Sequence, residues 1–204
     1  MFWSVPPATR AIILINVGVY LLQLLAPQPM EVLFALWPLD DPLFKPWQLL
    51  SYAFLHDPHN LWHILFNMFA LFMFGRALED FWGARRLVLY YVICALAAAA
   101  TQLAVERLAG AGGPVIGASG AIFGILLAFA WYFPRQRLML LFPPIPMPAW
   151  LFVTLYGLLE LFFGVTGREA GVAHFAHLGG MLGGALCILY WRIRHRFVRR
   201  TSRL

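Results

Sequence analysis

The stretch Gly117-Ala118-Ser119-Gly120-Ala121-Ile122-Phe123-Gly124 decides how the chain is read. A glycine-rich segment (Gly110, Gly112, Gly113, Pro114, Gly117) runs directly into an apolar helical pattern that stops at Phe133, before Pro134. Ser119 lies at the turn. A serine on a sharp turn into a helix is one way to present a hydroxyl for nucleophilic attack. Small residues at such a place also suit close helix packing, so the stretch alone leaves both readings open.

On either side of it the chain is apolar nearly throughout. Of its 204 residues, 62% are hydrophobic and 12% charged, whereas a soluble domain carries about 25% charged residues. Apolar runs leave no room for a sizeable soluble domain. They predict an all-α, six-span membrane bundle in one domain, with spans at about 10–26, 61–82, 87–105, 118–133, 149–163 and 172–191 and a basic tail over 192–204. Twelve of the fifteen basic residues fall at the start of the first span, in two inner connections and in the tail. Lys45, Arg107 and Arg168 are the other three. The positive-inside rule then places both termini in the cytoplasm. Topology accounts for the basic tail, so no nucleic-acid partner is expected. The first apolar run lacks a small-residue cleavage site and reads as a retained span. Cys94 and Cys187 lie within spans and read as small core residues.

Depth sharpens the reading of Ser119. The fourth span is short: as a helix it covers about 22 Å, against about 30 Å of hydrocarbon. Pinned at its inner end by Arg135 and Arg137, it would start roughly 8 Å below the outer surface. Irregular backbone at that depth is tolerated against protein or a water-filled cavity, so a polar cavity with Ser119 at its floor is expected. The long connection over 27–60 is rich in Trp, Leu and Phe and reads as a structured element in the outer interface. The connection with Pro143, Pro144, Pro146 and Pro148 reads as an inner loop. Asn16, at mid-depth in the first span, reads as a hydrogen-bond partner for another helix.

Polar groups inside spans are functional candidates by default. His63 and Asn67, four apart, share a face of the second span. In the sixth span His177, Gly180 and Gly184 share a face, and the fourth span offers Gly120, Gly124 and Ala128 at the same spacing. Packing those two faces together would bring His177 to Ser119. Ser119 would then be the nucleophile and His177 its base, with His63, Asn67 and the Ser119 backbone N–H holding the oxyanion. The inner helices carry no aspartate at this depth, so a Ser–His dyad is expected rather than a triad. Phe123 would pack on the imidazole, His174 would line the cavity, and Glu160 would cap or pair near the outer interface. Glu79 and Arg76 would fix an inner loop. The histidines His56, His59, His63, His174 and His177 have spacings that can bind zinc, but no His-Glu-x-x-His is present, and neither metal nor cofactor is expected.

The motifs Gly117–Gly124, His63-Ile64-Leu65-Phe66-Asn67 and Ala176-His177-Leu178-Gly179-Gly180, in that order, resemble the rhomboid intramembrane serine proteases. The segment Gly75 to Gly83 and Trp47 fit as well. The resemblance covers the chain from first span to sixth. It implies the six-helix bacterial form with no seventh span and no cytosolic N-terminal domain, in the inner (cytoplasmic) membrane. It implies Ser119 and His177 as the dyad, His63 and Asn67 as oxyanion-hole residues, and Gly117, Phe123 and His174 in the active-site wall. It also implies single-span membrane proteins as substrates, cut near the outer face and entering beside the fifth helix. Two departures stand out. Phe123 replaces a tyrosine found in some members, and the usual Trp-Arg of the first loop is Trp47-Gln48. A non-catalytic membrane-protein binder or chaperone using the same cavity is the alternative reading.

Overall fold

A computed structural model describes residues 5–110, 112–139, 144–167 and 172–201, with backbone alone from 195 onward. Pro143, Arg168 and the side chains of the tail from His195 lie outside the described residues. The chain is mostly helical. In order come α1 (Pro7–Leu25), α2 (Pro27–Phe34), α3 (Gln48–Ser51) running into a 3-10 turn at Tyr52–Phe54, and α4 (Leu61–Ala70). A π segment, Leu71–Gly75, joins α4 to α5 (Arg76–Trp82) without a break. Then follow α6 (Ala84–Ala109), α7 (Ser119–Tyr132), β1 (Arg137–Met139), β2 (Pro146–Pro148), α8 (Ala149–Thr166) and α9 (His174–Thr201).

Among the described residues, four helices are long and apolar enough to cross a membrane: Pro7–Leu25, Leu61–Trp82, Ala84–Ala109 and Ala149–Thr166. Their exposed side chains are large and apolar, including Leu14, Leu21, Phe66, Leu89 and Leu158, which is the surface a lipid environment calls for. The fourth expected span, α7, is apolar but has only 14 residues, about 21 Å of helix. It is sheathed by protein, with ten of its residues buried. The apolar part of α9 carries two histidines and four glycines in its first half, which dilute its hydropathy.

One expectation needs correction. The fold is not purely helical, because β1 and β2 form a short antiparallel ribbon in which Arg137 faces Pro148 and Met139 faces Pro146. Prolines have no N–H for a helix or a central strand, but they are tolerated at a two-stranded edge. The described parts of the proline-rich connection therefore pair as a ribbon that leads straight into α8.

Buried polar side chains fix the ends of the helices. Glu79 accepts the backbone N–H groups of Ala8 (2.8 Å) and Thr9 (2.6 Å) and the Thr9 hydroxyl (2.7 Å). A carboxylate on the orphan N–H groups of a helix start satisfies them and favours the helix dipole. Glu79 thus fixes the start of α1 to α5. Asn16 donates within α1, to the Ile12 carbonyl at 2.8 Å, and its side chain also pairs with the Tyr91 hydroxyl of α6, as a hydrogen-bond partner for another helix would. In the long first connection, the fully buried Gln48 plays the corresponding part. Its oxygen accepts from the backbone N–H groups of Lys45 and Trp37, and its amide donates to the carbonyls of Leu43, Val32 and Leu33. A neutral amide can both donate and accept, so Gln48 alone binds the loop to itself.

The centre of the bundle is the crossing of α6, α7 and α9, and glycines allow it. A Cβ on Gly180 would run into the carbonyl oxygen of Gly120, and one on Gly124 would strike Cys94. Gly183 and Gly184 lie equally hard against Ala97 and the Tyr90 hydroxyl. Tyr90 donates to the Gly124 carbonyl at 2.9 Å, which adds a hydrogen bond to the close approach. Gly180→Ala is expected to destabilise the protein by about 1–3 kcal/mol, the usual cost of overpacking. Gly18, where an added Cβ would meet nothing within 4 Å, is the control: Gly18→Ala should melt within experimental error of the wild type. Thermal unfolding in detergent measures both.

Candidate active site

The first connection shapes the glycine-rich turn before it reaches Ser119. Leu36 and Val115 exchange both backbone hydrogen bonds at 2.9 Å, and the Gly117 N–H donates to the Tyr52 carbonyl at 3.0 Å. The Tyr52 hydroxyl in turn donates to Ala95 on α6 at 2.8 Å. The turn is therefore held by the first connection on one side and the bundle on the other. Gly117 adopts φ +128°, a conformation that L side chains rarely adopt. Ser119 follows as the first residue of α7 and is half-buried.

His177, on α9, meets Ser119 across the glycine crossing, with Nε2 to Oγ at 2.7 Å. Its ring lies flat on Phe123, with centroids 4.3 Å apart and planes 7° from parallel. Its Nδ1 lies 2.8 Å from Glu160 Oε2 on α8. A carboxylate only accepts, so Nδ1 carries the proton and donates. In a neutral ring Nε2 is then bare, and the Ser119 hydroxyl donates to it. His174 places its own Nδ1 at 2.7 Å from the same Oε2 and donates there too.

The facing wall comes from α4. The Asp57 N–H donates to His63 Nδ1 at 3.2 Å. That assigns the proton of a neutral His63 to Nε2, which turns toward the turn before Ser119. A Cβ built on Gly117 would lie 2.9 Å from His63 Nε2 and 3.5 Å from Ser119 Oγ. The hydrogen of Gly117 thus keeps open a space that a donor and a nucleophile both reach. Asn67, a turn below His63, is buried and donates through Nδ2 to the His63 carbonyl at 2.7 Å.

Behind His63 lies His56, fully buried, with ring centroids 5.0 Å apart and edge-on. The Gln23 side chain clasps its backbone N–H (2.8 Å) and carbonyl (2.9 Å). Burial, with the nearby His63, pushes the His56 pKa down to about 3. Among the described residues, the metal-ligating atoms that converge are those of Glu160, His174 and His177, within 4.8 Å of one another. His59 is exposed and stands apart from them.

With this arrangement in view, sequence comparison is decisive. Residues 44–194 match the family model described as the Rhomboid domain. The chain belongs to the rhomboid family. It is 34% identical over 140 residues to the mitochondrial rhomboid protein 1 of Saccharomyces cerevisiae, covering 68% of this chain and 40% of that one. It is 36% identical over 127 residues to the rhomboid protease GlpG of Klebsiella pneumoniae, covering 61% of this chain and 43% of that one. A Salmonella paratyphi A rhomboid protease GlpG is 29% identical over 126 residues, with the same coverage. The matched part thus spans about two fifths of the length of these curated relatives.

In this rhomboid, Ser119, His177, Phe123, His63, Gly117 and His174 are brought together in one place, and Asn67 is tied to it through the His63 carbonyl. Glu160 is the residue whose place differs most from expectation. Of the two parts expected for it, Glu160 pairs and does not cap, and its partners are both histidines of α9, against which it is buried. The signal was available: Glu160 is an acidic residue in an otherwise uncharged apolar stretch, opposite two histidines three apart. His56, Gln23 and Tyr52 were not legible as supports, because their parts are played through backbone contacts.

Two outcomes follow from this geometry. Gly117→Ala forces a side chain into a positive φ and into the space beside His63 Nε2. Labelling of Ser119 by a fluorophosphonate probe should fall at least tenfold, with the fold retained by circular dichroism. His56 is held neutral when folded and titrates near 6.5 when unfolded. The unfolded state therefore takes up the proton first, and the stability associated with a neutral His56 is lost as pH falls from about 6.5 toward about 3. His56→Phe removes that proton and two unpartnered ring nitrogens. Its melting temperature should fall less across that pH range than the wild type's.

Proposed function

We propose that this rhomboid is an intramembrane serine endopeptidase working through Ser119 and His177. The observation that supports it most directly is the 2.7 Å hydrogen bond from the Ser119 hydroxyl to a bare His177 Nε2, beside a space that His63 Nε2–H also faces. Ser119 Oγ attacks the scissile carbonyl carbon while its proton passes to His177 Nε2. The oxyanion forms where His63 Nε2–H, the second Asn67 amide hydrogen and the Ser119 backbone N–H converge. His177 then gives its proton to the leaving amine as the C–N bond breaks. Water, deprotonated by His177, releases the acyl group and restores Ser119.

In this reading the chain crosses the cytoplasmic membrane six times, with α7 and α9 as the fourth and sixth spans and both termini in the cytoplasm. The short α7 then sets Ser119 below the outer surface, and substrates are single-span membrane proteins cut near that face. The name of the Klebsiella relative supports the activity, and the placement of basic residues supports the topology. An extended peptide backbone is needed at Ser119, so substrate helices that unwind readily near their outer end are favoured.

Purified wild type in proteoliposomes should cleave a model single-span substrate, and Ser119→Ala should not. Equal cleavage by both would rule the proposal out. Asn67→Ala should retain activity reduced by about 10²–10³, the usual loss for one oxyanion donor. A binder without catalysis would leave the fluorophosphonate probe unreacted at Ser119.

A further inference from the structure

We propose that Glu160 is a positioning residue for His177, so that the reactive unit is Ser119–His177–Glu160, and that the same contact latches the outer half of α8 to the bundle. This rests on the protease reading above. The buried residues of α8 are Ala149, Val153 and Glu160. The first two lie in the half that follows the β ribbon. Among the described residues, Glu160 is therefore the one buried side chain in the half of α8 near the site. Its neighbours Leu158, Leu159, Leu161 and Phe162 are about half exposed. Nothing in lipid packing calls for a carboxylate there, because an ionisable group in a span is costly unless it has a partner.

The carboxylate has two partners, and their arrangement is specific. Nδ1–H of His177 and Nδ1–H of His174 both donate to Oε2, at 2.8 and 2.7 Å. The two rings stand at 89° to one another, so they approach the oxygen from different sides. His174 thereby keeps the carboxylate from turning away while His177 uses it. With the His177 proton fixed on Nδ1, Nε2 is bare toward Ser119. That is the part an orienting carboxylate plays for a catalytic imidazole. The groups that face His177 are Ser119 from α7, Glu160 from α8, His174 from its own helix and His63 from α4. Of these, only Glu160 can accept from Nδ1. Movement of α8 away from α9 would withdraw it, so the imidazole is fully set only when α8 is seated.

The test compares wild type, Ser119→Ala, Glu160→Gln and Glu160→Asp in proteoliposomes. It measures kcat and KM on a single-span substrate, the rate of fluorophosphonate labelling, and the His177 tautomer by ¹⁵N NMR. Glu160→Gln should lower kcat by about 10²–10⁴-fold with KM changed little, as when a triad loses its carboxylate. Labelling should slow in parallel, and the Nδ1-protonated form of His177 should give way to the other tautomer. Glu160→Asp should recover part of both. Wild-type kcat and tautomer in Glu160→Gln, with Ser119→Ala inactive, would overturn the role of Glu160 and leave the protease reading standing. Wild type that neither cleaves nor labels would remove the protease reading itself, and this inference with it. A metal bound stoichiometrically to the wild type and lost in Glu160→Gln would overturn it in favour of a metal centre. Should Glu160→Gln fail to fold, Glu160→Asp decides: a displaced tautomer with unchanged kcat overturns the proposal.

Discussion

The contact between Gly120 and Gly180 is the constraint on which the site depends. There the backbones of α7 and α9 approach until no side chain fits between them. Ser119 is the residue before one of these glycines, and His177 lies three residues before the other. The 2.7 Å separation of Oγ and Nε2 is thus inherited from a backbone contact one helical turn away. A partly buried hydrogen bond is stronger than one in open water but geometrically unforgiving. Glycines at Gly120, Gly124, Gly180 and Gly184 give up side-chain packing to gain that precision. Cys94 and Tyr90 of α6 fill the space on the third side.

This constraint was legible in the sequence because it is periodic. Small residues four apart on two apolar helices can be paired without coordinates, and the pairing carries Ser119 and His177 with it. Helix positions were legible for the same reason; α1, α4 through α5, α6 and α8 begin or end within a few residues of the hydrophobic runs. What escaped was whatever depends on contacts between segments with no shared period. Gln48 stands in for a charged anchor because five backbone groups of a folded loop surround it, and nothing local to Trp47-Gln48 tells of that. The β ribbon depends on where two prolines are placed opposite Arg137 and Met139. Glu160 was visible as an anomaly but not as a partner. Its depth along α8 could be read, yet the rotation of α8 about its own axis could not, because leucines and phenylalanines occupy every face of that helix.

The two sides of the site are built on different principles. The wall formed by His63, Asn67 and the turn at Gly117 is tied down by backbone hydrogen bonds from the first connection: Asp57 N–H on His63, Tyr52 carbonyl on Gly117, and Leu36 paired with Val115. Those groups are close in the fold and satisfied locally. The His177 side relies instead on a neighbouring helix whose described buried residues are Ala149, Val153 and Glu160. In the proposed mechanism, rigid geometry on the oxyanion side and a separable support on the base side is a sensible division. Donors that stabilise developing charge are effective only if they need no reorganisation. An imidazole, by contrast, tolerates a support that comes and goes, provided it is present when the proton moves.

Membrane burial explains why that support should be a carboxylate shared by two histidines. A lone glutamate in an apolar span would take up a proton and then accept poorly. Two N–H donors converging on Oε2 satisfy it by hydrogen bonds. His174 and His177 could not both donate to a neutral amide oxygen without leaving its NH₂ buried among apolar neighbours. The cluster is therefore coherent as a unit: the carboxylate keeps its charge because both imidazoles donate, and His177 keeps a bare Nε2 because the carboxylate accepts. Each member fixes the protonation of the next, ending at the hydroxyl of Ser119.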